Sequence, residues 1–138
     1  MKRRCTLSYC SHVPYEISFT KPVAVSDSNI YINDCCWGGD VVRDELLPLI
    51  SGNFEDVVTE QEDWGWFIWF RRGPIRLAVD IFCDDPRHGS FRLRLTSRRK
   101  RLLIGDSVVD TPELEEVRKL VSSHLASWAG TLGVERVD

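Results

Sequence analysis

One short polar segment contains side chains that could perform general acid–base chemistry: Asp84, Asp85 and His88. A histidine close to a carboxylate can accept and return a proton near neutral pH, and paired carboxylates can hold a hard cation. A proline and a glycine in the same segment are typical of a polar turn, which is the non-catalytic interpretation. Asp84, Asp85 and His88 are therefore the candidate catalytic residues, with an ordinary turn as the alternative.

The rest of the sequence favours a protein without catalytic activity. The adjacent Cys35 and Cys36 could supply a nucleophile, but their spacing from other residues assigns no base to them. The sequence contains no glycine-rich phosphate loop, no G-x-S-x-G, no H-E-x-x-H and no EF-hand loop. Enzyme activity stays an open question at His88, and no cofactor is expected.

The cysteines bear on both compartment and metal binding, and they are Cys5, Cys10, Cys35, Cys36 and Cys83. An odd count, with an N-terminus that lacks the apolar region of a signal peptide, predicts reduced thiols in the cytoplasm. Cys5, Cys10 and His12 have the spacing C-x4-C-x-H, which lacks the C-x2-C pair of zinc sites and a second ligand pair. We therefore predict no metal site and interpret the cysteines as buried structural thiols.

Alternation of apolar and polar residues predicts an antiparallel meander in the middle of the chain. Residues 66–70 and 75–82 are two aromatic and β-branched runs, which we expect to pair as a hairpin that turns at Arg72 and Gly73. Residues 91–96 also alternate, so they are predicted to pair back onto the second run. Because side chains alternate between the two faces of a sheet, the aliphatic residues of all three strands then share one face.

The predicted register assigns particular partners across these strands. Phe70 is expected opposite Ile75, and Trp69 opposite Arg76, where a cation–π contact is possible. The partners expected between the second and third strands are Leu93 with Ile81, Leu95 with Val79, and Arg94 with Asp80. The last of these pairs would be a cross-strand ion pair worth at most about 1 kcal/mol.

Shorter segments flank the meander. The further predicted strands are residues 15–20, 29–32, 55–61, 101–104 and 134–137, with a charged turn at residues 97–100. Helical periodicity predicts one helix at about 40–51, with Asp40 as N-cap and Gly52 at its end, and another at about 111–128. These elements predict an α+β fold. It is a two-layer sandwich whose mainly antiparallel sheet, with a meander in residues 55–104, is covered on one face by the two helices.

Charge is segregated along the chain. Residues 71–101 carry ten basic against three acidic side chains, a net +7, and residues 40–63 carry eight acidic against one basic, a net −7. Three outcomes are possible. The basic segment could bind a polyanion, the two segments could neutralise each other within the fold, or the acidic segment of one molecule could meet the basic segment of another.

The face of the meander opposite the aliphatic residues is the predicted binding surface. Arginines beside aromatic rings on a sheet can stack bases and hold phosphates, and tryptophan and arginine also concentrate binding energy at protein interfaces. The candidate binding residues on or beside this surface are Trp64, Phe67, Trp69, Arg76, Arg92 and Arg94.

Length and composition set broader limits. The chain has 138 residues, a net charge of −3, 43% hydrophobic and 28% charged residues, which fits one globular domain over residues 1–138 rather than a disordered or fibrous chain. No run approaches the roughly 18 apolar residues of a membrane-spanning helix, so no membrane partner is expected. With the cysteine argument, this predicts a cytoplasmic protein.

These observations give one principal functional prediction and two alternatives. Charge segregation and five tryptophans predict a non-catalytic protein-interaction module that binds a partner protein or its own copy as a homodimer. Binding of nucleic acid or another polyanion through the same basic face is the first alternative, against which a pI of about 5.6 counts. An enzyme with an acid–base site around His88 is the second.

Overall fold

An antiparallel sheet forms the centre of the protein. A computed structural model describes residues 14–24, 30–101, 105–130 and 132–136. Within these residues the strands are β1 (Tyr15–Thr20), β2 (Glu55–Glu62), β3 (Gly65–Arg72), β4 (Ile75–Asp85), β5 (Ser90–Arg101), β6 (Gly105–Val108) and β7 (Leu132–Arg136). Their order across the sheet is β2-β3-β4-β5-β1-β7, and β6 pairs with the end of β5 beyond β1.

Two helices, α1 (Gly39–Ser51) and α2 (Pro112–Trp128), cover one face of this sheet. Their buried side chains pack with the aliphatic and aromatic residues of the strands in one hydrophobic core. Full burial of each such side chain contributes about 1.5–3 kcal/mol of transfer free energy. The predicted α+β architecture, an antiparallel meander under two helices, is therefore confirmed.

The β3–β4 hairpin turns one residue later than predicted. Arg72 is the last residue of β3 and pairs with Ile75, so Gly73 and Pro74 form the turn. Gly73 has a φ of +56°. A two-residue turn of this kind requires positive φ at its first position and suits proline at its second, because proline is fixed near −65°.

This later turn moves the predicted β3–β4 partners by two residues. Phe70 lies opposite Leu77 rather than Ile75, and Trp69 lies opposite Ala78 rather than Arg76. The predicted partners were wrong, but the predicted faces are correct, because a shift of two residues restores the same side of a pleated strand.

The β4–β5 register agrees with the prediction. Leu93 lies opposite Ile81, and Leu95 lies opposite Val79. All four side chains are fully buried on the helix-covered face. The same register places Asp80 opposite Arg94 on the other face of the sheet.

The charged turn predicted at residues 97–100 is wrong, because β5 continues through them to Arg101. Ser97 is fully buried here. Its hydroxyl donates to the Val109 carbonyl at 2.5 Å, and its own carbonyl accepts from the Val109 N–H at 3.0 Å. The edge strand is β6 at residues 105–108 instead of 101–104, of which 102–104 lie outside the described residues.

The short strand predicted at residues 29–32 is also wrong for the described residues 30–32. Here the Gln61 side chain replaces a neighbouring strand: its Oε1 accepts from the Ile32 N–H at 2.7 Å, and its Nε2 donates to the Ile30 carbonyl at 2.9 Å. Both isoleucines are exposed. Their alternation therefore reflects no buried sheet face.

The first helix begins slightly earlier than predicted. Its N-cap is Gly38 rather than Asp40, and Gly52 follows its last residue as expected. Asp40 lies in the first turn, where its carboxylate accepts a hydrogen bond from the Tyr31 hydroxyl at 2.8 Å. A negative charge at this position is stabilised by the positive end of the helix dipole.

The described cysteines differ in redox state. Cys36 and Cys83 have buried, free thiols, as expected for structural cysteines. The Cys36 thiol donates to the Glu62 carbonyl at 3.0 Å, and burial raises its pKa. Cys35 is disulfide-bonded, so the prediction of reduced thiols is wrong there.

Replacement of Gly65 by alanine tests how closely β3 approaches β4. A Cβ at Gly65 would lie 2.1 Å from the Ile81 carbonyl oxygen, and the φ of Gly65 is +153°. We expect Gly65→Ala to lower the free energy of unfolding by about 3 kcal/mol or more, because backbone strain and a backbone clash combine. Chemical denaturation measures this loss.

Gly73→Ala is the matched control, since Gly73 also has positive φ but a Cβ there would meet nothing within 4 Å. It should cost only about 1 kcal/mol, the strain term alone. Equal losses in the two variants would contradict the close approach at Gly65.

Candidate functional site

The sheet face opposite the helices, called the second face below, contains a cavity of about 540 Å³. Strands β3, β4 and β5 supply most of its lining, because every second side chain of these strands points to this face. The lining residues are Asp56, Trp64, Trp69, Phe70, Arg71, Arg76, Leu77, Ala78, Asp80, Thr96 and Arg98. Three predicted binding residues, Trp64, Trp69 and Arg76, are thus brought together.

Two tryptophans form aromatic walls of the cavity. Trp69 is 50% exposed and stacks on Phe67 with ring centroids 4.2 Å apart. Trp64, from the turn before β3, packs on Phe82 with centroids 5.1 Å apart. Phe67 and Phe82 are buried beneath. Of the predicted aromatic candidates, Phe67 therefore supports Trp69 rather than facing a ligand.

Three arginines align across the strands at the rim of the cavity. Arg71 lies opposite Arg76 on β4, and Arg76 lies opposite Arg98 on β5. We call Arg71, Arg76 and Arg98 the arginine row. Like charges directly opposite each other on a sheet repel, so the row favours a bound anion.

The arginines of the row differ in how far nearby carboxylates neutralise their charge. Arg71 forms ion pairs with Asp56 and, at 3.5 Å, with Glu55. Arg98 is exposed and forms no ion pair within the described part of the chain. The exposed positive charge of Arg98 therefore lies at one end of the row.

Asp80 lies among the innermost lining residues and is only 6% exposed. Its Oδ1 has no hydrogen-bond partner among the described residues. Burial raises the pKa of Asp80 from 3.8 to about 6, although the Trp69 indole and the charges of Arg94 and Arg98 act to lower it. Arg94 lies directly opposite and is also buried. The cavity lining thus contains a buried carboxylate whose Oδ1 has no hydrogen-bond donor among the described residues.

Arg92 and Arg94, predicted as binding residues, are not among the lining residues. The guanidinium of Arg92 donates two hydrogen bonds of 3.2 Å to Asp84, lies 3.6 Å from Glu16 Oε2, and stacks over Phe82 at 4.6 Å. Arg94 is buried beside Asp80. Both arginines therefore contribute to packing and charge pairing within the second face and do not line the cavity.

The three candidate catalytic residues are not gathered at one site. His88 is an exposed side chain whose Nδ1 lies 2.7 Å from Asp85 Oδ2. The other oxygen of Asp85 accepts from the Arg87 N–H at 3.0 Å, which is the arrangement of a polar turn. Asp84 contacts Arg92 instead. None of the three lines the cavity.

Sequence reasoning missed Arg98 and recognised Asp80 only as a partner of Arg94. Arg98 was placed in a charged turn, whereas the alternation that starts at Phe91 continues through it. Extending that period by two residues is the signal that would have put Arg98 on the second face. The isolation of Asp80 Oδ1 depends on three-dimensional packing and has no sequence signal.

The described residues contain neither a metal-binding cluster nor a membrane-spanning helix. Within residues 14–24, 30–101, 105–130 and 132–136, no three His, Cys, Asp or Glu side chains lie close enough together to hold a metal ion. Cys5, Cys10 and His12 lie outside that part of the chain. Neither described helix has the length and hydrophobicity needed to span a membrane.

No protein-family model matches the chain, and no significant match was found among the curated proteins or the solved structures. The function is therefore argued from the geometry of the second face.

Asp80→Asn tests the burial of the Asp80 carboxylate. With a folded pKa of about 6 against an ordinary value of 3.8, the native state binds more protons than the unfolded state between these values. Asp80 therefore lowers stability progressively as the pH rises through about 6. The stability of Asp80→Asn relative to the unmodified protein should rise by about 2 kcal/mol between roughly pH 4.5 and pH 7.5.

Denaturant unfolding across that pH range provides the measurement. The change with pH is the diagnostic quantity, because the loss of the partner of Arg94 adds a penalty of its own at every pH. Thr96→Val, a cavity-lining variant without a titrating group, should differ from the unmodified protein by a constant amount. A constant difference for Asp80→Asn as well would rule out a carboxyl pKa raised by burial.

Proposed function

We propose that this protein is a non-catalytic binding module that holds a polyanion on its second face. The observation that carries the proposal is the arginine row at the rim of the cavity, with the exposed Arg98 at one end. Anionic groups bound between Arg76 and Arg98 would offset their cross-strand repulsion. The exposed indole of Trp69 adds a flat surface on which an attached ring can stack.

The distribution of the other charges supports a compact anion site over a broad protein interface. Much of the basic segment is neutralised within the fold, since Arg71 pairs with Asp56, Arg72 with Glu116 and Arg92 with Asp84. The remaining charge on the second face concentrates around the cavity. A local cluster of this kind suits a few anionic groups better than an extended acidic surface.

The tryptophans support the same choice. Trp66 is buried, and its indole N–H donates to the Cys36 carbonyl at 2.8 Å. Trp128 packs on Phe19 with centroids 6.3 Å apart. Both side chains therefore have a structural role, so the number of tryptophans in the sequence gives less support to a protein interface. Trp69 is the one described tryptophan that is half exposed.

Self-association is a second candidate function, and one observation favours it. Val58 on β2 is 53% exposed and lies directly opposite the half-exposed Trp69, so the two form an apolar pair on the second face. Exposed carboxylates of the same edge strand, Glu60 and Glu62, could meet the arginine row of another copy. Sedimentation velocity over a range of protein and salt concentrations tests this, and a monomer throughout would exclude it.

Arg98→Ala tests the polyanion proposal. Fluorescence anisotropy of labelled oligodeoxythymidylate should show binding weakened about fivefold at low salt, equivalent to about 1 kcal/mol. The slope of log K against log salt should fall by about 0.7, the value of one phosphate contact on a single strand.

Arg99→Ala is the matched control, because Arg99 is the next residue along β5, is exposed and faces the opposite side of the sheet. It removes the same charge and should leave affinity nearly unchanged. Binding that does not weaken as salt rises, or equal effects of the two variants, would contradict the proposal.

A further inference from the structure

We propose that the cavity of the second face holds one base of a single-stranded nucleic acid, and that an exocyclic amino group of this base donates a hydrogen bond to Asp80. The inference rests on the proposed function, since the arginine row would hold the phosphates of the same strand. It adds the identity of the polyanion and the chemical group that is recognised.

Asp80 belongs to the cavity lining and carries an unsatisfied acceptor. Its Oδ1 is buried and has no hydrogen-bond partner among the described residues. An ionised carboxylate accepts hydrogen bonds and donates none. A ligand group that hydrogen-bonds to this oxygen must therefore be a donor. Cytosine, adenine and guanine carry an exocyclic amino group on their pairing edge, whereas thymine and uracil carry none: at the position of the cytosine amino group they have a carbonyl oxygen, beside an N3–H.

The walls of the cavity are aromatic. Trp64 and Trp69 line the same cavity, and both present indole surfaces supported by phenylalanine rings behind them. Bases stack on aromatic side chains in single-stranded complexes, where they are not paired with a second strand. A volume of about 540 Å³ lies within the range of small-ligand sites and admits a nucleoside unit.

The exposed part of the lining carries positive charge, and its buried part carries the negative charge of Asp80. Arg76 and Arg98 stand with the carboxylate of Asp80 in one lining, and both arginines are exposed. A nucleotide has the complementary order, with phosphate on one side of the sugar and amino group on the other. An acidic peptide side chain inserted here would bring a second carboxylate to Asp80, and a lysine would have to pass the arginines. The cavity therefore favours a nucleotide over an acidic side chain or a lysine of a peptide.

The experiment compares oligodeoxycytidylate with oligodeoxyuridylate of equal length at pH 7.5, where Asp80 is ionised. The two strands carry the same phosphates and differ at two ring positions: C4 bears an amino group in cytosine and a carbonyl in uracil, and N3 bears a proton only in uracil. We expect the unmodified protein to bind the cytosine strand about tenfold more tightly, the usual size of discrimination by one well-placed base contact. Asp80→Asn, which presents both a donor and an acceptor, should abolish this preference.

A second variant keeps the test decisive where Asp80→Asn is poorly folded. Ala78→Leu places a larger side chain in the cavity lining while retaining Asp80 and the arginine row. It should bind the two strands equally and retain the salt dependence of the unmodified protein. A tenfold preference that survives in Ala78→Leu would overturn insertion of a base into the cavity.

The remaining outcomes separate this inference from the proposed function. Equal, salt-dependent binding of both strands by the unmodified protein would overturn the base-recognition inference and leave polyanion binding intact. Failure to bind either strand at low salt, with tight binding of polyglutamate of equal length, would overturn the inference in favour of an acidic protein partner. Failure to bind all three would overturn both.

Discussion

Alignment of aliphatic side chains across the three central strands is the constraint on which the rest of the structure depends. Ile68, Val79 and Leu95 lie directly opposite one another and are fully buried under the helices. A slip of one residue in any of these strands would turn its apolar residues away from the core, so burial fixes the pairing. The same alignment brings Phe67, Asp80 and Arg94 into line on the second face. The position of the candidate site is therefore determined by the core behind it.

Stability alone does not explain why the charges of Asp80 and Arg94 are buried opposite each other. Burial of two opposite charges costs desolvation energy that their attraction often fails to recover, and apolar residues of similar size are frequently as stable. Here the cost is higher, because Asp80 Oδ1 has no hydrogen-bond partner among the described residues and burial raises the carboxyl pKa to about 6. A carboxylate held in this state is ready to accept a donor from a ligand without first losing water. The proposed recognition of a ligand would account for its presence in the cavity lining, whereas packing does not.

Residue alternation predicted the faces of the sheet better than it predicted individual contacts. The hairpin turn was misplaced, yet Trp69 and Arg76 still share the second face, because the error moved the partners by two residues. Arg98 was assigned to a predicted turn, because residues 97–100 are four polar residues in succession, a composition typical of loops. In the structure the buried Ser97 bonds with Val109, and the strand continues through Arg98. The strand expected at residues 29–32 is absent over the described residues 30–32, where the side-chain amide of Gln61, rather than a neighbouring strand, bonds to the backbone. Contacts that depend on one distant side chain leave no period in the sequence.

Net negative charge and a basic binding site are compatible in this fold because electrostatic screening limits the range of each charge. At physiological ionic strength the screening length is about 8 Å, so carboxylates several strands away contribute little to the field at the rim. The carboxylates nearest the row, Asp56 and Glu55, neutralise Arg71 and leave Arg98 without an ion pair in the described residues. The attractive region is therefore small, and it can hold only a few phosphates. For the proposed ligand, affinity would therefore come from contacts inside the cavity rather than from long-range attraction, and the groups around Asp80 would select what is bound.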